Sequence, residues 1–260
     1  MANKKRLALG LVLVVGLAAC SSGSGGGGNL AAACKANLNV QDGFTELFRG
    51  LEGGPQSGPP SAAAKQQIKD TFAQRLAKPL ADAEASAPDA IKADIKSAVA
   101  SLRTFGDTGD PSLFNDPAFA AKGQKINLYF YDHCSGPKQA VGAADYKFSG
   151  VPNQLPSGVV QLKLTNSGTE EHEMLFVRRK PGVTETFDQL LALPQEQAQA
   201  KTEAVFHLSA GPGKPDATVV DLTPGQYAMI CTISKGTVGD KQGDGPPHFT
   251  LGMKHEFTVA

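Results

Sequence analysis

Apolar positions change their period about halfway along the chain. From about Leu38 to Cys134 they recur at three- and four-residue steps, the spacing of an amphipathic helix. Phe44, Leu47, Phe48 and Leu51 form one such face, which Gly53-Gly54-Pro55 closes. After a Gly/Pro/Ser stretch from Pro55 to Ser61, Ile68, Phe72 and Leu76 mark a second helix, with Pro79 disturbing the run. Ala87-Pro88-Asp89 predicts a helix start with proline in its first turn, followed by Ile91, Ile95, Val99 and Leu102. Asn115-Asp116-Pro117 caps a further helix carrying Phe119, Ile126, Phe130 and Cys134. Lys125 to Tyr131 also alternates as a strand would, and the helix is the preferred reading.

Beyond the change of character at Ser135 to Gly142 the period falls to two. Tyr146-Lys147-Phe148, Val159 to Thr165, Met174 to Val177, Ala204 to Leu208, Thr218 to Leu222, Gln226 to Cys231 and Glu256 to Val259 read as strands. One helix, Thr186 to Ala200, interrupts them, with Phe187, Leu190 and Leu191 on its apolar side. About seven short strands separated by turn signals predict a β-sandwich. The expected class is α+β: a helical bundle over 34–136 followed by a sandwich over 137–260.

The first twenty residues belong to neither domain. Lys4, Lys5 and Arg6 precede a short apolar run, Leu7 to Ala19, too short to span a bilayer and suited to an export signal. It ends at Leu17-Ala18-Ala19-Cys20, which resembles a bacterial lipobox; that resemblance makes Cys20 the lipid-bearing first mature residue. A tether over 21–33, opening with Ser-Ser-Gly-Ser-Gly-Gly-Gly-Gly, has nothing to bury. The expected location is therefore extracytoplasmic, anchored to the cell membrane through Cys20. The full chain has a formal charge of zero, and the leader holds three cations and no anions, so a chain cut before Cys20 has a net charge of −3. Nothing in that balance recruits nucleic acid.

An oxidising compartment makes the cysteine count informative. With Cys20 assigned to lipid, Cys34, Cys134 and Cys231 remain. The economical pairing joins Cys34 to Cys134, one at each end of the helical region, and leaves Cys231 free. The rival pairing, Cys134 with Cys231, stays open.

A free Cys231 sits in suggestive company. Pro224 to Val259 carries one thiolate (Cys231), one imidazole (His248) and one thioether (Met253), and soft sulfur with imidazole suits copper. Asn166-x-Gly168-x-x-x-His172, Pro224-Gly225-x-Tyr227-x-x-x-Cys231 and His248-x-x-x-x-Met253 together resemble a cupredoxin, the Greek-key sandwich of blue-copper proteins. The resemblance covers only the last 120 or so residues. It implies one copper ion at a type 1 site, with His172, Cys231 and His248 equatorial and Met253 axial, and a redox protein as partner. The interval Thr232 to Pro247 is longer than the family's compact loops. Glu171, Glu173 and Lys254 flank the candidate ligands; solvating the strand end is the expected role of the two acids. His133, His207 and His255 read as ordinary surface or strand residues.

Other chemistries fail on pattern. No second histidine follows His172 at zinc-protease spacing, no close cysteine pair supports a dinuclear centre, and no phosphate loop or Gly-x-Ser-x-Gly elbow is present. An electron or copper carrier is expected, and no enzyme. The alternative is a metal-free envelope lipoprotein whose sandwich and bundle serve as a binding or scaffold module.

Overall fold

The computed structural model describes residues 29–50, 61–239 and 241–260, and the side chains of 48–50 lie outside that description. The leader, Cys20, the Ser/Gly stretch to Gly28, the Phe48 side chain, Leu51 and the expected stop at Gly53-Gly54-Pro55 lie outside the described residues.

Helix α1 (Leu30–Gly50) begins inside the interval expected to be tether. Ala31-Ala32-Ala33 has high intrinsic helix propensity, and Ala33 is buried, so the chain is already structured there. Ser61 caps α2 (Ala62–Arg75), its hydroxyl accepting from the Ala64 N–H at 3.1 Å. Helix α3 (Ala77–Ala85) follows after a break at Leu76. Pro79 is the cause: it has no N–H to give the Arg75 carbonyl, and its ring crowds that oxygen. The break lets α1 come close, since a Cβ on Gly43 would lie 2.8 Å from the same carbonyl oxygen. A 3₁₀ turn at Asp89–Ile91 leads into α4 (Lys92–Thr108), which stops at Gly109 with φ of 66°. Asp116 caps α5 (Pro117–His133), accepting from the Ala118 N–H at 2.9 Å. That cap and Pro117 in the first turn carry the helix across Lys125–Tyr131, where alternation had competed. Leu47, Phe72, Leu76, Leu80, Phe105 and Phe130 lie in the shared core. Cys34 and Cys134 are disulfide-bonded, and Cys231 is a buried free thiol.

Among the described residues, the remainder forms a two-sheet sandwich of nine strands. In the first sheet β2 (Lys147–Ser149), β1 (Lys138–Ala144), β4 (Gly158–Asn166) and β7 (Pro215–Leu222) lie side by side in that order. In the second, β3 (Gln154–Leu155), β9 (Lys254–Val259), β8 (Gly225–Ile230), β5 (His172–Arg179) and β6 (Thr202–Ala210) do so. The pairing is mixed: β1 runs parallel to β4, with Val141 opposite Leu164, and β3 parallel to β9. Strand β1 went unpredicted because its Ala and Gly residues are poor strand formers, and pairing with β4 overrides that weakness. The expected helix over Thr186–Ala200 is two, α6 (Phe187–Leu191) and α7 (Gln195–Lys201), divided at Pro194. The residue before a proline is pushed out of helical geometry.

Inward-facing Leu162, Leu164, Met174, Phe176, Tyr227 and Met229 fill the space between the sheets. Helices α1 and α5 pack on the opposite face of the first sheet, at β7. Gln124 Nε2 donates to the Pro215 carbonyl at 2.5 Å, and Gln161 Nε2 to the Cys134 carbonyl at 2.9 Å.

Candidate metal centre

Four chain segments converge at one end of the sandwich. His172 is the first residue of β5, Cys231 directly follows β8, His248 opens a 3₁₀ turn, and Met253 directly precedes β9. All four are fully buried. His172 Nδ1 lies 3.1 Å from His248 Nδ1, and Cys231 Sγ lies 3.3 Å from His248 Nδ1. One donor atom from each of these three residues falls within 4.8 Å of the others. Met253 joins them through the backbone: its N–H donates to the His248 carbonyl at 3.1 Å and its carbonyl accepts from Cys231 N–H at 3.2 Å.

The outer edges of both imidazoles are held by carboxylates. His172 Nε2 lies 2.8 Å from Asp145 Oδ1, and His248 Nε2 lies 3.1 Å from Glu170 Oε2. Each carboxylate accepts the Nε2 proton, which leaves the Nδ1 lone pair facing inward. Two inward lone pairs beside a thiol repel unless a cation or a proton lies among them. The donor set therefore fits a soft or borderline metal ion, and the carboxylate–imidazole arrangement is the one that raises ligand basicity in metal sites.

Burial pushes the Asp145 carboxyl up, but Thr169 and His172 donate to it and together hold it below the usual range. Burial likewise pushes Glu170 up, and the Gly236 N–H at 2.6 Å, the Tyr146 hydroxyl at 2.8 Å and His248 outweigh it. The Tyr146 hydroxyl is pushed up to about 12, first by burial and then by Glu170. Burial lowers His248, against an opposing pull from Glu170. The Cys231 thiol is pushed up to about 12 by burial, while N–H groups of Glu173 and Ile233 favour the sulfur's charged form. The Glu173 N–H lies 3.4 Å from Sγ.

Glu173 does not solvate the strand end. It is 5% exposed, and its Oε1 accepts from the Thr232 N–H at 2.5 Å and from the Thr232 hydroxyl. Its Oε2 pairs with His207 Nε2 at 2.8 Å, so His207 is tied to the rim of the site and is more than an ordinary strand residue. Lys254 pairs instead with Asp188 on α6, away from the ligands. The Glu171 backbone N–H donates to the Thr237 carbonyl. His133 is exposed and stacks on Tyr129, as expected, whereas His255 Nε2 is buried with no hydrogen-bond partner.

Local sequence explains the positioning. Asn166 is buried, donates to the Glu170 and Ala210 carbonyls at 2.8 Å each, and accepts from the Gly168 N–H at 2.8 Å, which fixes the turn before His172. A Cβ on Gly168 would lie 2.3 Å from Asp145 Oδ1, so only glycine leaves room for the Asp145–His172 bond. Tyr227 donates to the Thr223 carbonyl at 2.7 Å, pinning the turn into β8. The long interval after Cys231 folds back along itself, with Ser234 bridged to Pro247, and brings Gly236 to Glu170. It covers the histidine end of the site. Asp145, Tyr146 and Glu170 were missed in the sequence because no spacing rule connects a turn acid to an imidazole edge on another strand.

Among solved structures, similar folds include reduced auracyanin from Roseiflexus castenholzii, at 18% identity over 49% of this chain and 99% of that one, TM-score 0.32. Auracyanin A, a blue copper protein from Chloroflexus aurantiacus, matches at 17% identity over 48% and 100%, TM-score 0.32. Rusticyanin from Thiobacillus ferrooxidans matches at 17% identity over 48% and 79%, TM-score 0.30. The C-terminal half is a two-sheet β-sandwich. No family model matches the chain, and no curated protein does. The functional reading rests on the donor atoms of the sandwich. Among the described residues, His172, Cys231 and His248 form the one such cluster of three His, Cys, Asp or Glu donors.

Proposed function

We propose that the chain is an exported, lipid-anchored carrier that holds one copper ion and passes single electrons to and from a redox protein partner. His172 and His248 through Nδ1, Cys231 through Sγ and Met253 through its thioether would hold the ion. The observation that carries this reading is the pair of buried imidazoles, 3.1 Å apart at Nδ1, each with its Nε2 on a carboxylate. Bound copper would supply a reversible one-electron couple. The protein's own part is to hold the ligands still: Asp145 and Glu170 orient the imidazoles, and the N–H groups of Glu173 and Ile233 stabilise negative sulfur. The covering loop excludes water. The proposed role is carriage of an electron.

Export and anchoring rest on the basic, apolar and Cys20 pattern of the leader. The Cys34–Cys134 disulfide supports an oxidising compartment. No basic surplus draws nucleic acid.

Visible absorption before and after adding Cu(II), with Cys231→Ser alongside, tests the proposal. The expected result is an intense thiolate-to-copper band, bleached by reductant and missing from C231S. A wild-type chain with no band, or a band unchanged in C231S, would overturn it.

A further inference from the structure

The helical bundle does not close tightly on the sandwich. Two adjoining cavities, of about 350 and 320 Å³, lie between the helices and the first sheet, and both are bounded by Asn37, Asn127, Phe130, Thr218 and Val219. Their volumes fall in the range of small-molecule sites, and they are far larger than ordinary packing defects. The lining is mainly apolar. Phe114, 36% exposed, faces the larger lobe, and Val159, 42% exposed, faces the smaller one. Large apolar side chains left accessible inside a concavity mark a binding surface.

Two further residues point to an occupant. Asn37 on α1 is 9% exposed and borders both lobes, so its amide offers a donor and an acceptor at the wall they share. Gly123 lies in the interior of α5, where glycine weakens a helix. No packing demands it, because a Cβ built there meets nothing within 4 Å. Gly123 lines the larger lobe, so what its missing side chain leaves is room in the cavity.

We propose that this cleft binds a neutral, largely apolar small molecule through one hydrogen-bonding carbonyl or hydroxyl at Asn37. A neutral head is favoured because the charges bordering the cleft oppose each other, Asp42 in the larger lobe against Lys35 in the smaller, while Tyr131 is a neutral phenol and Glu173 already engages His207. The inference stands apart from the copper reading and can be tested on metal-free protein.

The probe is Prodan, a neutral naphthalene ketone whose emission shifts in apolar surroundings, titrated into the full chain in detergent-free buffer. Saturable binding to one site is expected. Gly123→Phe should weaken it at least tenfold without lowering the thermal midpoint, and Asn37→Leu should weaken it several-fold. Decanol should displace the probe better than decanoate. Absence of saturable binding, or binding that survives both G123F and N37L, would overturn the site; stronger displacement by decanoate would overturn the neutral head.

Discussion

Asp216 is a carboxylate placed where its charge costs stability. It sits on β7 against α5, accepting from the Ala217 N–H at 2.7 Å and from Asn127 Nδ2 at 3.4 Å. Burial dominates these two bonds and pushes its carboxyl from an ordinary 3.8 up to about 6. The folded state therefore binds a proton that the unfolded state releases, and stability falls as pH rises between those values. A shift of roughly two units corresponds to ~3 kcal/mol, and partial exposure of the side chain reduces that to ~2 kcal/mol. Asp216→Asn keeps both acceptor contacts and removes the charge. Urea denaturation followed by circular dichroism should find D216N more stable by ~2 kcal/mol at about pH 7.5, the gap shrinking to under ~1 kcal/mol by about pH 4.5. The comparison between variants cancels the other acids, which titrate in both chains. A D216N chain no more stable than wild type at neutral pH, or a gap independent of pH, would refute the reasoning.

Three further outcomes are expected. Replacing Cys34 and Cys134 by alanine opens a loop of 100 residues, which on the chain-entropy model removes up to ~5 kcal/mol; urea unfolding should show it as a lower midpoint. Gly168→Ala forces a methyl onto Asp145 and releases His172 Nε2, so copper affinity in a competition titration should drop about 10–100-fold, matched by Asp145→Asn. Phe105→Ala empties the centre of the helical core, where Phe105 stacks edge-on against Phe72, and should cost about 3–5 kcal/mol by thermal or urea unfolding.

Features readable in the sequence were those with local causes. Asp116-Pro117 announces α5 because a cap and a first-turn proline act on their own neighbours, and Pro79 announces a break through its own ring. Three of the four candidate donors were legible for another reason: soft sulfur and imidazole within 23 residues, Cys231 to Met253, are uncommon company, and His172 was found through the Asn166-x-Gly168-x-x-x-His172 pattern upstream. What escaped depends on pairing between distant segments. Strand β1 is made a strand by β4, and Lys138–Ala144 offers little preference of its own. Glu173 reads as a solvated acid because its partners, Thr232 and His207, lie 59 and 34 residues away. Asp145 reaches His172 only once the β1–β2 turn has folded over the end of β5.

The backbone around the site is tied to itself. Besides the Cys231–Met253 and Met253–His248 bonds, Phe249 N–H reaches the Cys231 carbonyl at 2.8 Å and His248 N–H the Ile233 carbonyl at 2.9 Å. These bonds run from peptide to peptide, and none of them passes through a donor side chain. The path of the chain at this end of the sandwich is therefore written in the main chain, and the chemistry it carries is written separately in the side chains.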